Sequence, residues 1–243
     1  MSLLDKLLGD QERHPAHPAA RVREVAAGAA TAPAVEPVLR PSNALKDFLW
    51  HISDVSNGRL LDLGSVSQAT ISLFVDRGFK IYTEDLLRSW REHLAEEEKR
   101  LRAAQVGGQA GGESSEVEYG IPEIAARFLE SSLQHPAGTF HAALLWDACD
   151  YLDAEAVGPV VTRLHELLRP GGVVLGLFHS RKPEAFYRYR VRDKENFELL
   201  PARPLYSQMR ILQNRDLLNL FGGFRTSKTY VGRDQLREGL FIK

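Results

Sequence analysis

The stretch LLDLGSVSQ, residues 60–68, decides the fold class of this chain. Its first half, LLDLG, is typical of a buried strand that enters a tight turn, where a doubly wound α/β protein presents backbone N–H groups to a cofactor. Further glycines usually follow at alternate positions, and here Val66 and Gln68 stand there instead. The stretch therefore predicts a nucleotide-binding type of turn with an altered second half.

Predicted strands and helices alternate on both sides of this turn. The strands fall at residues 59–63, 79–83, 140–146 and 173–178, and the helices at residues 42–53, 68–77, 86–102, 122–133 and 154–169. A hairpin at residues 187–192 and 196–200, a helix at 214–221 and a strand pair at 224–231 and 236–242 close the chain. We therefore expect an α/β fold with a doubly wound, mostly parallel sheet, helices on both faces and an antiparallel C-terminal strand. The charged run EEEKR, residues 96–100, predicts a solvent-exposed helix face.

Composition restricts the class of protein and its surroundings. With 243 residues, 44% of them hydrophobic and 26% charged, the chain suits one globular domain with an appended tail. A formal net charge of -1 gives no general attraction to nucleic acids or anionic membranes, so neither partner is expected. The single cysteine, Cys149, precludes an intramolecular disulfide. We also see no signal peptide and no long apolar run, so the sequence predicts a soluble cytoplasmic protein.

The N-terminal part, residues 1–37, differs from the rest of the chain. Leu3, Leu4, Leu7 and Leu8 fall on one side of a predicted short helix, which an Ala/Pro-rich tether follows. We keep two interpretations, an unstructured terminus and a docking helix for a protein partner or for self-association. The predicted domain is then residues 38–243, interrupted by a Gly/Ser-rich loop at about residues 103–115.

Four segments together resemble one known family. In chain order they are RLLDLG, GFKIYTEDL, FHAALLWDACDYL and LHELLRPGGVVLGLFH. This order resembles the class I S-adenosylmethionine-dependent methyltransferases over roughly residues 42–243, and LLRPGG before a buried strand is the most specific part of it. The resemblance implies a Rossmann-like seven-stranded sheet with one antiparallel strand, S-adenosylmethionine as cofactor and an unidentified methyl acceptor as partner.

The resemblance also assigns residues to the expected cofactor site. The acid and first glycine of the first motif are matched, the pair of acids after the second strand would hold the ribose, and WDACDY would face the transferable methyl group. The implied cofactor-binding residues are Asp62, Gly64, Ser65, Glu84, Asp85, Trp146 and Asp147. Val66 and Gln68 depart from the motif, and a branched Val66 is expected to crowd the cofactor. The usual third strand has no counterpart between Arg102 and Gly138.

Asp147 and Asp150 are the candidate catalytic residues. Methyl transfer needs a positioned acceptor and, when the acceptor carries a proton, a base, so either carboxylate could orient or deprotonate it. Trp146 could stack on the adenine or attract the sulfonium. The structural alternative is that Asp150 or Asp153 caps the helix that begins at Ala154 and that Trp146 fills the core. His179, directly after the predicted strand at residues 173–178, is open to the same two interpretations, site residue or structural histidine.

The sequence leaves the function open between different classes. The first hypothesis is a methyltransferase, and the alternative is a catalytically inactive methyltransferase fold that serves as an interaction or scaffold module. A nicotinamide-dependent oxidoreductase is a third and weaker hypothesis, since the glycine pattern is missing. The histidines show no metal spacing and one cysteine cannot build a zinc site, so no metal is expected. Hydrolase and phosphate-loop motifs do not occur.

Overall fold

The computed structural model describes residues 37–107, 120–203, 209–232 and 234–243. The predicted N-terminal helix and all but the last residue of its tether, as well as most of the predicted loop at residues 103–115, lie outside these ranges. The helix before that loop continues to Gly107 and so includes residues 103–107, which the sequence places in the loop. No helix within the described ranges is long and apolar enough to cross a membrane.

The strands lie close to their predicted positions. They are β1 (Val38–Pro41), β2 (Arg59–Asp62), β3 (Lys80–Thr83), β4 (Phe140–Trp146), β5 (Leu168–His179), β6 (Phe186–Val191), β7 (Asn196–Ala202), β8 (Thr226–Val231) and β9 (Leu236–Ile242). β5 begins before the Pro-Gly-Gly segment instead of after it, because Leu168 already pairs with Phe140. β1 was not predicted, since the short segment VLRP shows no alternation and contains a proline.

The helices also follow the predicted alternation. They are α1 (Asn43–His51), α2 (Gln68–Val75), α3 (Leu86–Gly107), α4 (Ile121–Ser131), α5 (Ala148–Tyr151), α6 (Ala154–Leu167) and α7 (Asn214–Leu220). Ser42 and Ser67 accept hydrogen bonds from the first turns of α1 and α2, which explains where those helices begin. α5 is a single turn that the sequence pattern does not reveal.

The main sheet has the order β3-β2-β4-β5-β9-β8. β2 pairs in parallel with both β3 and β4, and β4 pairs in parallel with β5. β9 runs antiparallel to both of its neighbours, β5 and β8. The mostly parallel sheet with an antiparallel C-terminal strand is therefore confirmed. The described residues supply six strands to it and not the expected seven, because α3 and α4 occupy the interval where the third strand would stand.

A second, smaller sheet covers one end of the main sheet. It has the order β1-β7-β6 and is antiparallel throughout, so the predicted hairpin is present and β1 extends it. Thr70 of α2 fixes this sheet to the domain, because its Oγ1 accepts a hydrogen bond from the backbone N of Val191 at 3.0 Å. This contact places the side chains of β6 beside the carboxyl ends of β2 and β4.

The core lies on both faces of the main sheet. Side chains of β2 alternate between the faces, so that Leu61 packs among α3, α4 and α6 while Leu60 packs against α1 and α2. Side chains of β4 also alternate, so that Ala143 lies on the same face as Leu61 and Ala142 on the same face as Leu60. The predicted solvent-exposed face of α3 is wrong in part, because Glu97 is buried and its carboxylate accepts hydrogen bonds from Arg127 of α4.

A buried charge cluster joins the two sheets. Arg40 of β1 forms salt bridges with Asp234 and with Glu238 of β9, and its Nη2 donates to the carbonyl oxygen of Leu236 at 3.1 Å. Oε2 of Glu238 also accepts from Ser42 Oγ at 2.8 Å. Asp234 and Glu238 thus both pair with Arg40, and the cluster ties β1 to the last strand of the main sheet.

Candidate functional site

A narrow cleft lies at the carboxyl ends of β2 and β4, the usual place for a ligand in a doubly wound sheet. The turn after β2 forms one wall, the start of α3 a second, and β6 of the small sheet covers it. The lining residues are Leu63, Gly64, Ser65, Asp85, Leu87, Leu145, Trp146, Asp147, Ala148, Phe186, Tyr187, Arg188 and Tyr189. The cleft therefore brings Gly64, Ser65, Asp85, Trp146 and Asp147 together, as the resemblance implied.

The indole of Trp146 covers the turn that carries Gly64. A Cβ atom added to Gly64 would lie 2.5 Å from both Cδ1 and Nε1 of the indole, so the ring rests directly on this glycine. Trp146 has a φ of 53°, a left-handed conformation that is uncommon for a bulky residue and that aims its side chain back across the strand ends. The glycine is thus needed here for the approach of an indole from the same chain.

Hydrogen bonds and ring contacts hold Trp146 in this position. Its Nε1 donates to Oδ1 of Asp62 at 2.7 Å, and the backbone N of Gly64 donates to the same oxygen at 3.0 Å. Tyr189 lies nearly parallel to the indole, with ring centroids 6.3 Å apart, and Phe197 contacts it edge-on at 5.6 Å. Burial raises the pKa of Asp62, and the Trp146 and Gly64 hydrogen bonds oppose that rise. Asp62 therefore binds the indole and the turn together.

The residues that depart from the family motif do not block the cleft. Val66 is 73% exposed, and neither Val66 nor Gln68 lines the cleft. The side-chain amide of Gln68 instead donates to Ser72 Oγ on the exposed side of α2. The expectation that Val66 crowds a cofactor is therefore wrong for this structure, and Trp146 is the group that fills the space.

The two acids after β3 separate. Asp85 lines the cleft, and its Oδ1 accepts a hydrogen bond from the backbone N of Arg88 at 3.2 Å in the first turn of α3. Glu84 does not line the cleft, since its two oxygens bind the backbone N of Leu133 and Nε2 of His135, each at 3.1 Å. Of this pair, only Asp85 could contact a molecule in the cleft.

Asp147 lines the cleft and is buried with an unsatisfied oxygen. Its side chain is almost inaccessible to solvent, and Oδ2 has no hydrogen-bond partner among the described residues. Burial raises the pKa of Asp147 to about 7, while the nearby His179 acts against that rise. The acid thus changes charge near neutral pH and could serve as a proton acceptor or as an anion that binds a donor.

Asp150 belongs to a buried chain of hydrogen bonds behind the cleft. Its Oδ2 accepts from the backbone N of His179 at 2.7 Å and lies 2.9 Å from Nδ1 of the same residue. Nε2 of His179 lies 3.2 Å from the hydroxyl oxygen of Tyr189. If Nδ1 carries the proton for Asp150, Nε2 accepts from Tyr189, so one neutral tautomer of His179 makes both hydrogen bonds. Asp150 reaches the cleft only through His179 and Tyr189.

Sequence reasoning missed the aromatic cover of the cleft. Phe186, Tyr187, Arg188 and Tyr189 come from β6, a strand of the predicted hairpin to which the sequence assigns no site residue. Tyr189 is buried, and that burial raises its pKa further above the ordinary value. Cys149, next to Asp147, is fully buried, which also raises the pKa of its thiol, so this cysteine is a structural residue.

S-adenosylmethionine does not fit the cleft with Trp146 in this position. The cleft has about 40 Å³ of space open to the centres of water molecules, and each water needs roughly 10–15 Å³ on that measure. It can therefore hold about three waters, whereas the cofactor joins an adenine, a ribose and an amino acid. Within the described residues, no group of three or more His, Cys, Asp or Glu side chains could hold a metal ion.

No protein-family profile and no curated protein matches the sequence. Solved structures of methyltransferases resemble the fold. A 1,6-didemethyltoxoflavin-N1-methyltransferase from Burkholderia thailandensis has a TM-score of 0.42 and 18% identity, covering 82% of this chain and 75% of its own. A methyltransferase from Methanosarcina mazei has a TM-score of 0.43 and 14% identity, and the match covers 80% of this chain and 96% of that one. A methyltransferase from Mesorhizobium loti has a TM-score of 0.46 and 15% identity, and the match covers 81% of this chain and 96% of that one.

The described residues have a Rossmann-like, doubly wound α/β fold. The strand order itself carries this assignment, because parallel strands β3, β2, β4 and β5 are followed by a reversed β9 inserted before β8. The fold does not decide the activity, which depends on the residues of the site.

Proposed function

We propose that this chain is a methyltransferase-fold protein without methyl-transfer activity, which acts as an interaction module. The observation that carries the proposal is the indole of Trp146 on Gly64. In this fold the turn after the first strand binds a cofactor through close approach of its backbone. Here a side chain of the same chain makes that approach and takes the Asp62 carboxylate as its acceptor.

Displacing Trp146 would be energetically costly. The movement would remove the Nε1 donor from the buried carboxylate of Asp62, and leaving a buried polar group short of a partner costs about 1–3 kcal/mol. It would also separate the indole from Tyr189 and Phe197, and such aromatic contacts contribute about 0.5–1.5 kcal/mol each. A cofactor must supply this free energy before it gains any affinity, which supports the inactive interpretation.

The surface supports an interaction role. Trp50 of α1 is 77% exposed, which is unusual for a side chain of this size. It lines a groove with the apolar Leu49 and Phe79 and with the basic Arg77 and Lys194. Exposed aromatic residues beside positive charges are characteristic of protein interfaces, where tryptophan and arginine are enriched.

Calorimetric titration with S-adenosylmethionine and with S-adenosylhomocysteine tests the loss of cofactor binding. We expect no heat from the natural chain at millimolar ligand, and binding to the Trp146→Ala variant if the indole is the only obstacle. Trp90→Ala is the matched control, because Trp90 is also buried and its Nε1 also donates to an aspartate, Asp153, at 3.0 Å. A micromolar dissociation constant of either ligand from the natural chain would contradict the proposed loss of cofactor binding.

The interaction role needs a separate experiment. We expect Trp50→Ala to weaken any protein complex that the natural chain forms on purification, without a change in thermal stability, because Trp50 packs little surface. Val231→Ala is the control, since Val231 is 73% exposed and does not line the Trp50 groove. Equal loss of the complex in both variants, or in neither, would contradict a role for this groove.

A second candidate function, methyl transfer, is favoured by one observation. Asp85 and Asp147 line the same cleft, and Oδ2 of Asp147 is unpartnered among the described residues. An active enzyme would need Trp146 to swing outward when cofactor enters. Cofactor binding by the natural chain, with a change in Trp146 fluorescence that is absent from Trp146→Phe, would establish this alternative in place of the first.

A further inference from the structure

The cleft under β6 combines negative charge with aromatic rings. The acidic residues Asp85 and Asp147 line it together with the aromatic residues Trp146, Tyr187 and Tyr189. The face of an aromatic ring is negative, so rings and carboxylates attract the same class of ligand. Quaternary and protonated amines are the organic ligands that such a lining recognises.

Asp147 gives an independent indication of a ligand. Its Oδ2 lies in a residue that is only 5% exposed and has no hydrogen-bond partner among the described residues. Buried polar atoms in native proteins are nearly always paired, and an unpaired one costs about 1–3 kcal/mol. Because Asp147 also lines the cleft, a cation there lies beside this residue and is attracted by its charge.

The size of the cleft limits the ligand to a small group. Its volume of about 40 Å³, counted at the centres of water molecules, corresponds to roughly three waters, or about 90 Å³ of liquid water. An alkylammonium head with one to four methyl groups is of that size, whereas a nucleoside is much larger. Arg188 also lines the cleft, but its side chain is exposed at the solvent edge, so it does not neutralise the buried carboxylate.

We infer that this cleft binds a small organic cation of the alkylammonium class, held by Asp147 and by the rings of Trp146, Tyr187 and Tyr189. The inference goes beyond the proposed function, since it concerns the space that remains with Trp146 in place. It needs neither methyl transfer nor a protein partner. A natural chain that fails to bind S-adenosylmethionine can still bind this cation.

Tetramethylammonium chloride is the probe, with sodium chloride at equal ionic strength as the reference. We expect saturation transfer from aromatic protons to the single methyl resonance of the probe, together with a thermal shift that sodium chloride does not produce. Asp147→Asn keeps the shape of the side chain and removes its charge, so it should raise the dissociation constant at least tenfold. Tyr187→Leu should raise it several-fold.

The control is Asp153→Asn, because Asp153 is a partly buried carboxylate beside Trp90 that does not line the cleft. It should leave the dissociation constant unchanged within twofold. The inference is overturned if the natural chain shows no saturation transfer, if Asp147→Asn binds as well as the natural chain, or if ammonium binds while tetramethylammonium does not. If Asp147→Asn fails to fold, Tyr187→Leu decides between the same outcomes.

Discussion

Two groups of buried charges lie near the carboxyl end of β5, and they are satisfied very differently. In the cluster around Arg40, both carboxylates pair with the guanidinium and Glu238 also accepts from Ser42. At the carboxyl ends of β4 and β5, Oδ2 of Asp147 and Oδ1 of Asp150 have no partner among the described residues. In the first group both carboxylates bind the same guanidinium, whereas in the second each carboxylate keeps one oxygen without a partner among the described residues.

This difference separates structural from functional charge. The Arg40 cluster connects two segments that are distant in sequence, residues 40–44 and residues 234–238, so pairing both carboxylates serves the fold. An unpaired buried carboxylate lowers stability, and such residues persist mainly where a ligand or a reaction uses them. The comparison predicts that removing charge should destabilise the first region and stabilise the second.

Arg40→Met should have the largest effect. It leaves Glu238 buried without its cation, and breaking a buried pair from one side costs about 3–5 kcal/mol. Urea denaturation of the full chain measures this free energy of unfolding. The double variant Arg40→Met/Glu238→Gln should recover part of the loss, because no buried charge is then left unpaired. A loss below about 1 kcal/mol, the value for a surface pair, would show that the cluster is not buried in solution.

Gly64→Ala tests the contact between the turn and Trp146. The new Cβ would lie 2.5 Å from the indole, and overpacking of this kind costs about 1–3 kcal/mol. In Gly64→Ala/Trp146→Ala the cost of the added methyl should disappear, which a double-mutant cycle measures. Gly158→Ala in α6 is the control, since nothing lies within 4 Å of its added Cβ. Equal effects at the two glycines would contradict the placement of the indole.

Asp147→Asn should change the pH dependence of stability. Burial raises the pKa of Asp147 to about 7, above its value in the unfolded chain, so the native state holds the proton more tightly and loses stability as pH rises towards 8. Asparagine cannot ionise. The melting temperature of the Asp147→Asn variant minus that of the natural chain should therefore be larger at pH 8 than at pH 5. The charge of Asp147 also contributes to the raised pKa of Tyr151 and of Tyr189, but both phenols titrate well above pH 8, so they stay neutral throughout this comparison. A difference that is independent of pH would contradict the raised pKa.

Lys228→Ala should have the smallest effect. Lys228 pairs with Asp47 at 3.2 Å on the surface, and both side chains are exposed. Exposed pairs contribute about 0.2–1 kcal/mol, and salt screens them. The loss should therefore be a few tenths of a kcal/mol and should vanish in concentrated salt. A loss as large as that of Arg40→Met would mean that exposure does not distinguish the two pairs.

The sequence predicts the centre of the main sheet well, because β4 and most of β5 are buried on both faces and read as largely apolar runs. Residues 140–146 are such a run, and β4 has those bounds. Asp85, Trp146 and Asp147 follow strand ends, so their proximity could also be foreseen. The indole on Gly64 could not, because it depends on the left-handed backbone of Trp146 and on contacts with Tyr189, which lies far along the chain. β1 and the pairing of Arg40 depend equally on tertiary contacts.

The chemistry of Cys149 has a practical consequence. As the sole cysteine, with a thiol that is buried and harder to ionise than usual, it should resist maleimides and other thiol reagents in the native state. A cysteine introduced at Trp50 would then be the reactive thiol for a fluorophore or spin label, with no need to alter the core. Single-site labelling could follow what binds that groove, and the appearance of a second labelled thiol would report unfolding.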